Sequence, residues 1–140
     1  MQVKDFMTRK VIAATSKASC QELAKKMLSG NFSGLPIVND KLAVVGVVSE
    51  FDILKALRHD RENVFSSTTA EEIMSFEPIC IDEDTDLEEV IALMTKNHII
   101  RLPVLRDNKL VGVISRCDIL KAFVQDTFIT LDSGEITDRE

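Results

Sequence analysis

The stretch GVVSEFDILK, residues 46–55, returns as GVISRCDILK, residues 112–121, and this doubling limits the fold more than any other feature of the chain. A repeat of this kind is one supersecondary unit used twice, so whatever the first copy forms the second must form as well. Displacing the sequence by 67 residues aligns VKDFMT (3–8) with AEEIMS (70–75) and GLPIV (34–38) with RLPVL (101–105). Beyond those points the displacement is 66, and nine of the twelve positions from Val45 to Ala56 recur identically. The offset changes between Asn39-Asp40-Lys41 and Arg106-Asp107-Asn108-Lys109, polar turns where an insertion is tolerated.

Each copy reads as β-α-β-β-α. The apolar runs Val11-Ile12-Ala13 and Ile79-Cys80-Ile81 predict short strands. Ser19 and Asp86 each stand three residues before a glutamate, Glu22 and Glu89, the capping-box spacing that starts a helix. The helices that follow turn Leu23 and Met27, or Val90, Leu93 and Met94, inward. Leu35–Val38 with Ala43–Val48, and Leu102–Leu105 with Leu110–Ile114, predict hairpins. Second helices run from Glu50 to about Arg58 and from Arg116 to about Gln125.

The chain divides into a first repeat over residues 1–60, a polar linker over 61–69, a second repeat over 70–125, and a C-terminal extension or tail over 126–140. A unit of roughly 60 residues buries only about 60% of its unfolded surface. The predicted fold is therefore α/β, of the α+β kind. Two repeats share a core and pack through their sheets with pseudo-twofold symmetry, leaving a cleft between them for a ligand.

Composition excludes several classes. A net charge of −6 and a pI near 5.0 oppose a broad phosphate-backbone footprint and hence nucleic acid as partner. No apolar stretch approaches the roughly 20 residues of a membrane helix, and MQVKDFMTRK lacks a signal-peptide core; no membrane partner and a cytoplasmic location are expected. Cys20, Cys80 and Cys117 are too few and too widely spaced for a disulfide framework or a metal clip, and all three read as reduced and buried. Asp82-Glu83-Asp84-Thr85-Asp86 imitates a calcium loop but has Leu87 and Leu93 where the glycine and the bidentate glutamate belong. His59 and His98 follow helix ends, and no metal or required cofactor is expected. Neither serine of the doubled stretch lies in G-x-S-x-G, and nothing specifies a pair between Cys80 or Cys117 and His98. The chain is not expected to be an enzyme.

Ser49-Glu50-Phe51-Asp52 and Ser115-Arg116-Cys117-Asp118 have the S-x-x-D spacing of a helix cap, and capping accounts for it fully. A second reading remains open. Gly46 and Gly112 interrupt β-branched strands, which marks close approach of a ligand or of another backbone. A strand entering a helix N-terminus aims amide groups at an anion, and an aspartate in the first turn can accept from a ribose diol.

The pattern V-x-D-F-M-T, G-L-P-I-V, G-V-V-S-x-x-D-I-L, followed by A-x-E-I-M-S, R-L-P-V-L, G-V-I-S-x-x-D-I-L, resembles a tandem pair of cystathionine-β-synthase (CBS) domains, a Bateman module. The resemblance covers about residues 3–125. It implies a homodimer and an adenosine-containing ligand (AMP, ADP or ATP) in the cleft, whose occupancy is signalled to an effector protein through conformation or dimer shape. Carried over by position, it implies a favoured site of Ile79, Arg101, Pro103, Ser115, Arg116 and Asp118, with Asp118 on the ribose and Arg101 on phosphate. A weaker site would comprise Arg9, Lys10, Val11, Gly34, Pro36, Ser49 and Asp52, because Gly34 replaces Arg101 and Glu50 replaces Arg116 there. The alternatives are a ligand-free dimerisation module, or a sensor of S-adenosylmethionine or NADH.

Overall fold

The computed structural model describes residues 1–76 and 78–124; the expected C-terminal extension, 126–140, and Gln125 at the end of the last predicted helix lie outside them. The first repeat contains α1 (Cys20–Gly30), β1 (Gly34–Val38), β2 (Val44–Ser49) and α2 (Glu50–His59). Two short helices follow, α3 (Val64–Ser67) and α4 (Ala70–Ile73), then β3 (Ser75–Phe76). The second repeat continues with β4 (Ile81–Asp82), α5 (Leu87–Asn97), β5 (Arg101–Arg106), β6 (Lys109–Ser115) and α6 (Arg116–Phe123). The two three-stranded sheets have the orders β1-β2-β3 and β4-β5-β6.

The hairpins pair in equivalent registers, Gly34 opposite Ser49 and Arg101 opposite Ser115, each with an irregularity near the turn. Ser19 caps α1 by accepting from the Glu22 amide. Asp86 precedes α5 in the same backbone conformation, but its side chain makes no capping bond; its carboxylate lies 3.7 Å from the amino group of Met1. Asn31 and His98 end α1 and α5 in the left-handed conformation, with φ of 56° and 54°, a common way to satisfy the last carbonyls.

The leading segments depart from the predicted strands, and the reason is tertiary. Val11–Ala13 form no strand: only Ala14 bridges to β1, parallel, at Ile37. In the second repeat only Ile81–Asp82 pairs, with Val104 and Leu105 of β5. Before those points each leading segment belongs to the other repeat's sheet. Thr8 bridges to Val113 of β6, while Ser75 and Phe76 pair with Val47 and Gly46 of β2. Upstream the exchange continues in matched bonds. The Val3 amide donates to the Thr85 carbonyl and the Ala70 amide to the Ala18 carbonyl, at 2.9 and 2.8 Å.

The expected single core is thus two. One gathers Leu87, Val90, Met94, Leu102, Val104 and Ile114 with Val3 and Met7; the other gathers Leu23, Met27, Leu35, Ile37 and Val48 with Ala70 and Met74. Val3 and Ala70 are 0% exposed, so each core is closed by a residue from the other copy's sequence. The polar stretch 61–69 is structured as well: Val64 in α3 is 2% exposed, and the Cys20 amide donates to the Thr68 carbonyl at 2.9 Å. The exchange also accounts for the glycines. A Cβ on Gly46 would lie 2.5 Å from Met74 Sδ, and one on Gly112 would lie 2.7 Å from Met7 Sδ and 3.0 Å from the Thr8 carbonyl. A methionine side chain from the leading segment of the opposite repeat fills that space first, with a backbone carbonyl, of Ser75 or Thr8, beside it.

Candidate functional site

Both S-x-x-D stretches are helix caps. The Ser49 hydroxyl accepts from the Asp52 amide at 3.3 Å, and Asp52 Oδ2 accepts from the Ser49 amide at 2.7 Å. The same reciprocal pair joins Ser115 and Asp118, at 3.2 and 2.9 Å. Because each cap lies where a hairpin strand enters its helix, both fall at the ends of a cleft between the sheets.

Two openings of that cleft, which share lining residues, form the candidate site. The larger, about 260 Å³, is lined by Ser49 and Glu50 at the start of α2, by Gly34, Pro36 and Val47, and by Phe51, Ile99, Ile100, Pro103 and Val113. The smaller, about 100 Å³, is lined by Ser115 and Asp118 together with Thr8, Lys10, Val11, Ile12 and Phe32. Gly34, Pro36, Val113 and Arg101 line both.

This places the expected residues in a different grouping. Lys10 and Val11, assigned by position to the company of Ser49 and Asp52, stand with Ser115 and Asp118 instead. Residues 9–13 cross from Thr8 on β6 to Ala14 on β1, and that crossing passes the Ser115 end. Ile79, assigned to the Ser115 end, lines neither opening and is 41% exposed; it lies between β3 on the first sheet and β4 on the second. Its repeat mate Ile12 lines the smaller opening. Pro103 lines the larger opening, on the Ser49 side. Arg116 and Arg9 are exposed and line neither. The Arg9 guanidinium is turned onto the Lys4 carbonyl at 3.0 Å. Asp52, half-buried, is held by its own cap and does not line the larger opening.

Arg101 is paired through its backbone with Ser115, yet its side chain reaches the first repeat. Nη1 donates to Ser33 Oγ at 2.9 Å, and the guanidinium lies 5.9 Å from the centroid of the Phe32 ring. It makes no ion pair with Asp84 or Glu88: Asp84 is held by Lys4 at 2.8 Å. With one neutral partner among the described residues and an aromatic beside it, the guanidinium keeps donors for an anion. Thr8, Phe32 and Ser33 were not singled out from the sequence. The signal available for them was their repeat position, facing Ser75, Ile99 and Ile100.

The cysteines do not form a reactive centre. Cys20 is buried, Cys80 half-buried and Cys117 exposed, so of the three thiols expected to be buried only Cys20 is. Burial pushes the Cys20 and Cys80 thiols above their ordinary pKa, which suppresses the nucleophilic thiolate. Among the described residues no three His, Cys, Asp or Glu side chains converge as a metal site, and no helix is long and apolar enough to cross a membrane.

Comparison with known proteins agrees with this architecture. The family described as CBS domain matches twice, over residues 3–59 and 70–125. L-aspartate semialdehyde sulfurtransferase of Methanocaldococcus jannaschii is 34% identical over 122 residues, 86% of this chain; the chain spans only 23% of that enzyme's length. The CBS domain pair of protein MJ0100, solved in complex with 5′-methylthioadenosine and S-adenosyl-L-methionine, superposes with a TM-score of 0.78. It is 34% identical, and the match covers 89% of this chain and 100% of that one. CBSX2, solved in complex with AMP, gives a TM-score of 0.75 at 28% identity, covering 86% and 94%. With the doubled fold, the exchanged leading segments and both family matches in agreement, the chain belongs to the CBS domain family and forms a tandem CBS pair.

Proposed function

We propose that this CBS pair is a regulatory module that binds an adenosine-containing ligand in the cleft and acts by binding rather than by catalysis. The observation that carries the reading is the cleft itself. It joins apolar walls suited to a base, the capped Asp118 suited to ribose hydroxyls, and Arg101 and Lys10 suited to phosphate. The openings, about 260 and 100 Å³, share four lining residues and together reach the lower end of small-molecule sites. That related pairs hold AMP in one case and 5′-methylthioadenosine with S-adenosyl-L-methionine in another supports the same ligand class.

On this reading an adenine nucleotide, AMP, ADP or ATP, sits at the Ser115 end, where Lys10 and Arg101 converge with Asp118. A specific feature favours a second reading for the larger opening. Among the described residues it contains Glu50 and no cation besides Arg101, so a ligand without phosphate, such as S-adenosylmethionine or methylthioadenosine, suits it better. A ligand touching both repeats stabilises the arrangement it fits. The exposed apolar residues Phe51, Leu54, Leu120 and Phe123 on α2 and α6 offer a homodimer surface through which that arrangement reaches an effector protein.

Thermal unfolding with AMP, ATP, NADH, S-adenosylmethionine and methylthioadenosine tests this. A bound ligand at 100 times its Kd adds about 2.7 kcal/mol, a shift of several degrees in a domain pair of this size. No shift with any of the five leaves a ligand-free dimerisation module as the function.

A further inference from the structure

The two caps differ in one hydrogen bond. At the first, the Ser49 hydroxyl donates to Asp52 Oδ2 at 3.1 Å, so its proton is committed within the cap. At the second, Ser115 makes no such donation among the described residues. Thr8, from the opposite repeat, donates to Asp118 instead, 3.2 Å from Oδ1 and 3.3 Å from Oδ2. Thr8 is held in place by backbone bonds to Val113 in both directions, at 2.8 and 2.9 Å, and by the space that Gly112 leaves. Its repeat mate, Ser75, occupies the equivalent rung opposite Val47, but makes no bond to Asp52 among the described residues. A β-branched threonine has fewer side-chain rotamers than serine, so its hydroxyl is aimed by the backbone that carries it.

We propose that Thr8 is a specificity-determining residue of the Ser115 end: by supplying the donor that Asp118 requires, it releases the Ser115 hydroxyl proton to an acceptor oxygen of an anionic ligand. This rests on the ligand reading above and narrows it. The released hydroxyl joins Lys10 and Arg101, which line the same opening, giving three donors for a phosphate while Asp118 keeps oxygen lone pairs for a ribose. At the Ser49 end the proton is already spent on Asp52, and Glu50 adds negative charge. Preference for phosphate at one end of the cleft is thereby set by a residue from the other repeat.

Calorimetric titration of AMP and of adenosine tests it, with the first cap left intact so that the Ser49 proton stays on Asp52. Thr8→Val keeps the shape and removes the hydroxyl, so Asp118 takes the Ser115 proton as Asp52 takes that of Ser49. AMP affinity then falls about tenfold, the worth of one hydrogen bond to a charged group, adenosine affinity holds, and Thr8→Ser restores most of the AMP affinity. Equal losses for both ligands, or no loss for AMP, overturn the proposal. Should the Thr8-bearing protein bind neither compound, the ligand reading itself fails, and the contact is judged without ligand. In a thermal cycle, Thr8→Val and Asp118→Asn must then combine non-additively, and strict additivity disproves the Thr8–Asp118 bond.

Discussion

Among the described residues, Arg101 bridges the repeats by a single neutral hydrogen bond, to Ser33. Its replacement by alanine is therefore expected to cost little stability but to weaken AMP binding by about 1.5–3 kcal/mol, the range for hydrogen bonds to a charged group, while sparing adenosine. Parallel titrations of the two ligands check this, and an equal drop for both removes Arg101 from the phosphate role. Asp118→Ala and Asp52→Ala each remove one cap partner, so both should lower stability by about 1 kcal/mol. Their ligand effects should separate, with Asp118→Ala reducing AMP affinity far more; calorimetry giving equal losses contradicts the asymmetry. At this scale the S-x-x-D spacing could be read directly, because a cap is a local interaction between residues three apart. Thr8 could not, since its bond to Asp118 spans 110 positions.

Among the elements, the exchanged segments are the most sensitive to small changes. Gly112→Ala places a methyl group against Met7 Sδ and the Thr8 carbonyl. The sulfur can move, but the carbonyl cannot without loosening the bridge to Val113. We expect destabilisation of about 1–3 kcal/mol, typical of overpacking, read as a lower urea midpoint. Ion pairs hold the same region from outside. The Arg106 side chain, hydrogen-bonded to Glu83 with Nη2 3.0 Å from Oε1, holds the Glu83 carboxyl below its ordinary pKa. A carboxyl depressed on folding stabilises above its unfolded value, and that contribution is lost as pH falls through the folded value. Arg106→Gln should therefore flatten the acid limb of stability against pH, measured as midpoints between neutral pH and the acid transition; an unchanged limb rejects the pair as its cause. The helices and hairpins of both repeats followed from periodicity and turn residues. The strands predicted at Val11–Ala13 and Ile79–Ile81 shrank because those residues cross between two sheets rather than lie along one.

Across the whole molecule, the mutual exchange makes the repeats interdependent. Removing residues 1–8 takes Val3 and Met7 out of the second repeat's core, and at about 1.5–3 kcal/mol for each buried side chain this should lower stability by roughly 3 kcal/mol or more. Chemical unfolding of the shortened chain checks it, and an unchanged midpoint contradicts the exchange. The amino-acid sequence alone determined that one β-α-β-β-α unit occurs twice, where its helices begin, and that a serine and an aspartate cap the second helix of each copy. Those are consequences of period, capping and repetition, which act over a few residues or copy whole units. Only the tertiary structure decided which leading segment meets which cap, that Lys10 stands with Asp118, and that Gly46 and Gly112 make room for Met74 and Met7 and the carbonyls beside them. The reason is that either repeat's leading strand is chemically able to complete either sheet. Only closing two cores at once selects the exchanged arrangement.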